Sequence, residues 1–415
     1  MMRQDHEHDE LEKLRAPAFD HRPDQAGLYA RTKAYLHCSI TPLPPFLKGE
    51  KCSPTSVSHR SICPDLVNDG GNRMNAVRIA VIIPYFQREA GILSGCLASI
   101  AGQRLPDATE LDMIVIDDGS PVPPSVDLEE IMIDPPHSLR IITQPNRGPG
   151  AARNTGLDNV PPDAAFVAFI DSDDRWAPDH LATALAMLGE DRDFYFCDSD
   201  MPPSTLFAGL DTFTRIDGPS IFAALDGRPD AFMFDPAEVT HCMAREYLCQ
   251  TSTIVFRWPC FRDLRFDTRL RYAGEDWLMW VRMAQRSRRI CFSTAVNGQR
   301  GEGVNLYRGA HDRLSSKNLR RLASMVKANA LMAAEPGIDR RTRDMCQARQ
   351  KAARTEIAGI MMHPAGLRSA LDPETARSLA LLDEGIWLQL PSRWASLISA
   401  KLSARRNRAR LGETA

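Results

Sequence analysis

Several things are missing from this 415-residue chain, and each absence removes a class of protein. None of its ten cysteines, at 38, 52, 63, 96, 197, 242, 249, 260, 291 and 346, forms a C-x-x-C pair. In so long a chain they read as reduced cytosolic thiols, not as a zinc site or a disulfide frame. No stretch reaches the ~18 consecutive apolar residues that a membrane span requires. Neither sign of charge dominates: 51 basic residues face 53 acidic ones, for a net charge of −2. That excludes a globally basic nucleic-acid binder, though not a local basic patch. Met1 to Glu10 is charged and has no apolar core behind it, so it does not read as a secretory signal. There is no internal repeat. What is present, 43% hydrophobic and 25% charged residues, is the balance of an ordinary soluble globular protein. At ~150 residues per domain the length suggests two to three domains.

Along the chain the pattern changes. Residues 1–75 are polar, rich in Pro, His and Asp, and lack any sustained period, so a largely disordered extension is expected. Its His6–Glu10 run reads as a solvated tail sooner than as a loose metal site. Met74, directly before the first clear strand, is an alternative start to Met1. Residues 77–200 alternate strand and helix. Strands are expected at Val77–Pro84, Leu111–Ile116, Leu139–Thr143 and Ala165–Ile170, with helices at Gly91–Gly102 and from Gly148. Short, nearly all-apolar strands separated by helices predict an α/β fold, a parallel sheet covered on both faces. Residues 201–310 are less regular, with a strand expected at Thr251–Phe256 and a helix at Glu275–Ser287. Residues 313–415 read as helical.

Two of the strands end in acids. Asp117-Asp118 follows the second, and Asp171-Ser172-Asp173-Asp174 follows the fourth. In an open α/β sheet, strand ends at their carboxyl edge share a crevice. Carboxylates crowded there repel one another and resist ionising. A divalent cation relieves the repulsion. Oxygen ligands suit Mg²⁺ or Mn²⁺, ions that hold substrate phosphates through one or two carboxylates. Solvated turns with helix-capping aspartates are the competing explanation. A third acidic pair, Glu275-Asp276, opens a helix, where it serves as a cap or as a general base.

Taken in order, Pro84-Tyr85-Phe86-Gln87-Arg88-Glu89, Asp117-Asp118-Gly119-Ser120, Asn146-Arg147-Gly148-Pro149-Gly150-Ala151-Ala152-Arg153-Asn154, Asp171-Ser172-Asp173-Asp174 and Glu275-Asp276 resemble the family 2 glycosyltransferases of the GT-A fold. The match covers roughly 77–310. Ile82–Glu89 and Gly301–Asn305 look most like the rhizobial glucosyltransferases of succinoglycan-type exopolysaccharide synthesis. The resemblance implies a GT-A domain over 76–312, split into a nucleotide-sugar half (76–200) and an acceptor half (201–312), followed by a helical C-terminal region. It also implies residue roles. Pro84 and Glu89 would line the nucleotide pocket, Asp118 would bond the uracil or ribose, and Arg153 would sit beside the nucleotide. Asp171 and Asp173 match the metal-binding D-x-D, with His311 near the diphosphate and metal. Asp276 matches the catalytic base, and Glu275 is its neighbour. The family's usual Asn after the first strand is replaced here by Phe86 or Gln87.

The implied function is an inverting, metal-dependent transfer of a sugar, glucose by the narrower resemblance, from a UDP-sugar to an acceptor hydroxyl. Mn²⁺ or Mg²⁺ would be the cofactor, and a carbohydrate or lipid-linked oligosaccharide in exopolysaccharide synthesis the acceptor. No nucleic acid is involved. A nucleotidyltransferase and a non-catalytic nucleotide-sugar scaffold are the alternatives. The first usually carries a Gly-rich phosphate loop after strand one, which Tyr85-Phe86-Gln87-Arg88 is not. Finally, Leu382–Leu411 joins apolar residues, Trp387 and Trp394 among them, to a basic cluster of Lys401, Arg405, Arg406, Arg408 and Arg410. Such a stretch has the composition of a helix lying on an anionic membrane, which would place the enzyme in the cytoplasm or peripherally on the inner face of the plasma membrane. A packing helix with a solvated basic end is the alternative.

Overall fold

The computed structural model describes residues 76–128, 131–214, 221–225, 227–303 and 312–410, side chains at 214, 401 and 404–410 excepted. The expected N-terminal extension, Met74 and His311 lie outside the described residues.

Strands β1 (Val77–Tyr85), β2 (Thr109–Asp117), β3 (Ser138–Thr143) and β4 (Phe166–Phe169) pair in parallel in the order β3-β2-β1-β4. Helices α1 (Ile92–Ala101) and α2 (Pro149–Asp158) provide the crossovers. The chain continues through β5 (Arg175–Trp176), α3 (His180–Leu188), β6 (Phe194–Met201), β7 (Ser204–Thr205), α4 (Asp211–Thr214), β8 (Phe222–Leu225), β9 (Arg228–Phe234), α5 (Val239–Arg245), β10 (Val255–Arg257), α6 (Glu275–Arg286) and β11 (Ile290–Gln299). The sheet runs on as β10-β6-β11-β9-β8. Here β10 is antiparallel to both neighbours, while β11 is parallel to β6. The expected parallel sheet is therefore the first half of a mixed one.

Side-chain alternation along β1 explains why its run from Ile79 to Ile83 is wholly apolar. Ile79, Val81, Ile83 and Tyr85 join Leu93 and Leu97 of α1 and Leu181 of α3 in one core. Ala80 and Ile82 join Leu157 of α2 and Leu278 and Trp280 of α6 in another. Covering both faces leaves no position for a polar residue. The start of α1 is capped from outside its own sequence. Asp127 accepts from the backbone N–H groups of Gly91 (2.6 Å) and Leu93 (2.9 Å), as the positive end of the helix favours.

One expected strand is shortened. Thr251–Thr253 is a 3₁₀ turn and β10 begins only at Val255. Gln250 Oε1 accepts from Ser252 N–H at 2.6 Å and the Thr253 hydroxyl donates to the Gln250 carbonyl at 2.8 Å, so side chains satisfy groups that a ladder would otherwise use.

The C-terminal region is helical through 410: α7 (Ser316–Ala334), α8 (Arg340–Met361), α9 (Pro364–Leu371), α10 (Pro373–Leu382) and α11 (Ile386–Arg410). Ser315, Asp339 and Asp372 cap α7, α8 and α10 through their side chains. His241 of α5 meets Thr342 of α8 at 2.8 Å, which ties the helices to the sheet domain. The tryptophans of the tail face inward. Trp394 Nε1 donates to the Ala358 carbonyl at 2.9 Å, and Trp387 packs on the core. Both tryptophans are therefore spent on internal packing. Among the described residues no helix is long and apolar enough to cross a membrane.

One buried group couples stability to pH. His180, fully enclosed, stacks on Trp176 at 4.6 Å between ring centroids and lies 3.6 Å from the Cys197 thiol. Burial pushes its imidazole down to about 3. Below its ordinary value of about 6.5 the unfolded chain takes up a proton that the folded chain refuses. Stability is therefore lost as pH falls, by about 2 kcal/mol between pH 6.5 and 5. Urea unfolding at pH 7 and pH 5 is expected to show that extra loss in the wild type and not in His180→Phe.

Candidate active site

The site is assembled where β1, β2 and β4 end. Gln87, just past β1 and buried, donates from Nε2 to Ser172 Oγ at 3.1 Å, and its backbone N–H donates to Ser120 Oγ at 2.7 Å. Gln87, one of the two residues near the position of the family's Asn, thus joins all three strand ends. Beside it Pro84 is half-buried and Glu89 is exposed on the loop.

Asp118 is 3% exposed. Its Oδ1 accepts from Gln144 Nε2 (2.7 Å) and Arg147 N–H (2.8 Å), and its Oδ2 from Gly148 N–H (2.8 Å). A carboxylate offers about four acceptor positions. One remains for the expected contact with uracil or ribose. The main work of this side chain is to hold the 144–148 loop at the start of α2.

Helix α2 carries Arg153, which is 4% exposed. Its Nη2 donates to Asp171 Oδ1 at 2.7 Å, and its Nη1 reaches Glu275 Oε1 at 3.3 Å. Phe266 covers the guanidinium at 5.5 Å. Arg153 therefore lies between two carboxylates, where the sequence suggested a place beside a nucleotide. Gly150, one turn earlier, allows the approach, because a Cβ there would come within 3.2 Å of Glu275 Cγ.

The fourth-strand acids have distinct environments. Asp174 is buried and fully engaged: Oδ2 accepts from Gln250 Nε2 (2.7 Å) and Ser252 Oγ (2.6 Å), and Oδ1 from Gly301 N–H (3.0 Å). Asp173 Oδ2 accepts from Gly303 N–H at 2.8 Å. A Cβ on Gly303 would fall 2.6 Å from Asp173 Cβ, so only glycine lets the strap after β11 lie on this acid. Burial, and then the neighbouring acids, push Asp174 up to about 7 and raise Asp173. The repulsion expected from the sequence is thus present. Asp171 and Asp173 are both partly exposed, and among the described residues each keeps an oxygen that accepts from no other residue. Two hard oxygen donors in a cluster whose mutual repulsion raises Asp173 and Asp174 fit Mg²⁺ or Mn²⁺ held together with phosphate. They do not make an all-protein cage: among the described residues no three His, Cys, Asp or Glu side chains stand together as a metal site.

Glu275 and Asp276 occupy the first turn of α6. Burial, with the Asp276 carboxylate next, pushes Glu275 up while Arg153 opposes the shift. Asp276 is half-buried; Oδ1 accepts from Trp277 N–H (2.7 Å) and Oδ2 from the Tyr247 hydroxyl (2.5 Å). Burial, and then Asp276, raise Tyr247 well above its ordinary value, so the phenol stays protonated and donates. Trp277 is committed elsewhere, with Nε1 on the Met243 carbonyl at 2.6 Å and Arg349 over its ring at 5.6 Å.

Sequence reading missed Tyr247, Gln250 and Ser252. The available signal was the polar run Gln250-Thr251-Ser252-Thr253 at the start of the strand expected over Thr251–Phe256. Tyr247→Phe removes a hydrogen bond to a charged group and is expected to lower kcat about tenfold with nucleotide affinity unchanged. Steady-state kinetics beside calorimetric UDP titration checks both halves.

The model of "Glycosyl transferase family 2" matches residues 80–205. The chain is 35% identical over 238 residues to the succinoglycan biosynthesis protein ExoW of Rhizobium meliloti (strain 1021), covering 55% of this chain and 70% of that protein. It is 33% identical over 121 residues to the minor teichoic acid biosynthesis protein GgaA of Bacillus subtilis (strain 168), covering 29% of this chain and 25% of the relative. Among solved structures, S. aureus TarS 1–349 is similar at 16% identity and a TM-score of 0.47, covering 81% of this chain and 92% of that one.

Proposed function

Since the chain belongs to the family 2 glycosyltransferases, we propose that it moves a sugar from a UDP-sugar, glucose being the first candidate, to an acceptor hydroxyl with inversion at the anomeric carbon. Family membership displaces the nucleotidyltransferase reading. The observation that carries the proposal is the fork of Arg153 between Asp171 and Glu275, which joins the strand-end acids to the acids of α6.

In this reading Asp171 and Asp173 hold Mn²⁺ or Mg²⁺, with His311 an expected further contributor. When bound, the cation supplies Lewis-acid neutralisation of charge on the leaving diphosphate. Pro84 and Glu89 line the nucleotide pocket, and Asp118 shapes it through the 144–148 loop. Asp276 accepts the proton of the acceptor hydroxyl as its oxygen attacks the anomeric carbon and the bond to the diphosphate breaks. Tyr247 fixes the direction of the Asp276 carboxylate. Arg153 keeps Asp171 and Glu275 neutralised, so that two acid clusters share a small volume. A base on the face opposite the leaving group makes a β-linked product from an α-linked donor. The acceptor is a lipid-linked oligosaccharide on the cytoplasmic side of the membrane, a reading supported by the exopolysaccharide-synthesis name of the Rhizobium relative.

A panel of sugar nucleotides with and without Mn²⁺, scored for nucleoside diphosphate release, tests this. Release from a UDP-sugar that requires the cation is the expected result. Metal-dependent UDP binding without turnover on any donor would favour a sensor instead.

A further inference from the structure

The C-terminal helices leave an apolar face uncovered. Of the ten large apolar side chains exposed among the described residues, six fall within 362–402: Met362, Leu371, Leu381, Leu388, Ile398 and Leu402. Three belong to α11. At 100° per residue, Ile386, Leu390, Trp394 and Leu397 span one ~80° arc. That arc is the one turned to the core, with Ile386 fully buried and Leu390 6% exposed. Leu388 (86% exposed), Ile398 (48%) and Leu402 (50%) span a second ~80° arc, centred ~120° round the helix from the first. Over 386–403 the exposed positions whose side chains are described hold only Leu, Ile, Pro, Ala and Ser. A surface helix ordinarily puts its charges on that side. Ile398 also borders an open apolar cleft of about 290 Å³ lined by Met361, Met362, Leu367 and Trp394.

Charge is segregated along the same helix. Residues 386–410 contain Arg393, Lys401, Arg405, Arg406, Arg408 and Arg410 and no acid, for +6 in a chain whose net charge is −2. A basic end with an uncharged, partly apolar outward face complements an anionic lipid surface. The helix is not apolar enough to cross one.

We propose that α11, flanked by Leu371 and Leu381, docks this protein on an anionic membrane surface through Leu388, Ile398 and Leu402, with the basic C-terminal turns beside the lipid headgroups. The anchor is the leucine-isoleucine face, while Trp394 holds α11 to α8 and Trp387 packs on the core. The inference stands on the C-terminal helices alone and is independent of the reaction assigned to Asp276.

The test is co-sedimentation of the full chain with vesicles of phosphatidylglycerol and phosphatidylcholine, against vesicles of phosphatidylcholine alone. The comparison protein is the combined Leu388→Ser, Ile398→Ser, Leu402→Ser variant. These side chains are exposed, and an unchanged thermal transition confirms that the variant is folded. Binding to anionic vesicles, weakened by salt and reduced roughly 100-fold in the triple variant, is the expected result. Wild type that does not sediment, or a folded triple variant that sediments equally well, overturns the proposal. So does light scattering that shows a wild-type dimer made monomeric by the triple change with no effect on vesicle binding, since a second copy would then cover the face.

Discussion

Asp276→Asn is expected to lower kcat by about 10²–10⁴-fold, the usual worth of a positioned general base, or about 3–5 kcal/mol of barrier. The carboxamide keeps the size of the side chain, and its one oxygen still accepts from the Trp277 N–H or from Tyr247, while its NH2 takes the place of the second acceptor. What it loses is the capacity to take a proton. Asp276 is neither buried with Arg153 nor part of the 171–174 cluster, so UDP affinity with Mn²⁺ is expected to stay within a factor of about two. Stopped assays of diphosphate release, with calorimetric titration of UDP, separate the two quantities. A variant with wild-type turnover would take the role from Asp276.

The second large effect concerns folding. Arg153→Met leaves Asp171 and Glu275 without their shared cation. Glu275 is 8% exposed and already pushed up by burial, so water cannot replace the guanidinium. Breaking a buried ion pair from one side costs about 3–5 kcal/mol, a large share of the stability of a typical domain. Arg153→Lys is expected to recover part of the loss, because one ammonium cannot fork to both acids at the observed 2.7 and 3.3 Å. Urea midpoints of the three proteins, followed by fluorescence, check the order wild type, Lys, Met. Glu275→Gln in the Met background should restore stability, since it removes one of the stranded charges. No recovery in that double variant would count against the shared bridge.

The sequence made the sheet legible where one physical signal was unambiguous. A stretch buried on both faces has to be apolar, and Val77–Pro84, Leu111–Ile116 and Ala165–Ile170, interrupted only by the half-buried Arg78 and Asp112, are read correctly for that reason. The region after β6 was harder. Its strands are short, antiparallel neighbours come from distant parts of the chain, and side chains such as Gln250 and Ser252 satisfy backbone groups locally. The acids were visible as strand-end clusters, but not their partners. Arg153 lies 18 residues from Asp171 and 122 from Glu275, a separation that leaves no periodic trace. Tyr247 was equally silent, because one aromatic in an irregular stretch carries no pattern. Asp118 shows the converse: a side chain easily found by position turned out to spend three acceptor sites on its own loop.

The most direct test of the shared cleft is the anomeric configuration of the freshly transferred sugar. Proton NMR can follow an α-linked UDP-sugar as it reacts with an acceptor alcohol, or with water before mutarotation sets in. With Asp276 acting as base across from the leaving diphosphate, the first product formed is β. An α product at the earliest time points would contradict that arrangement.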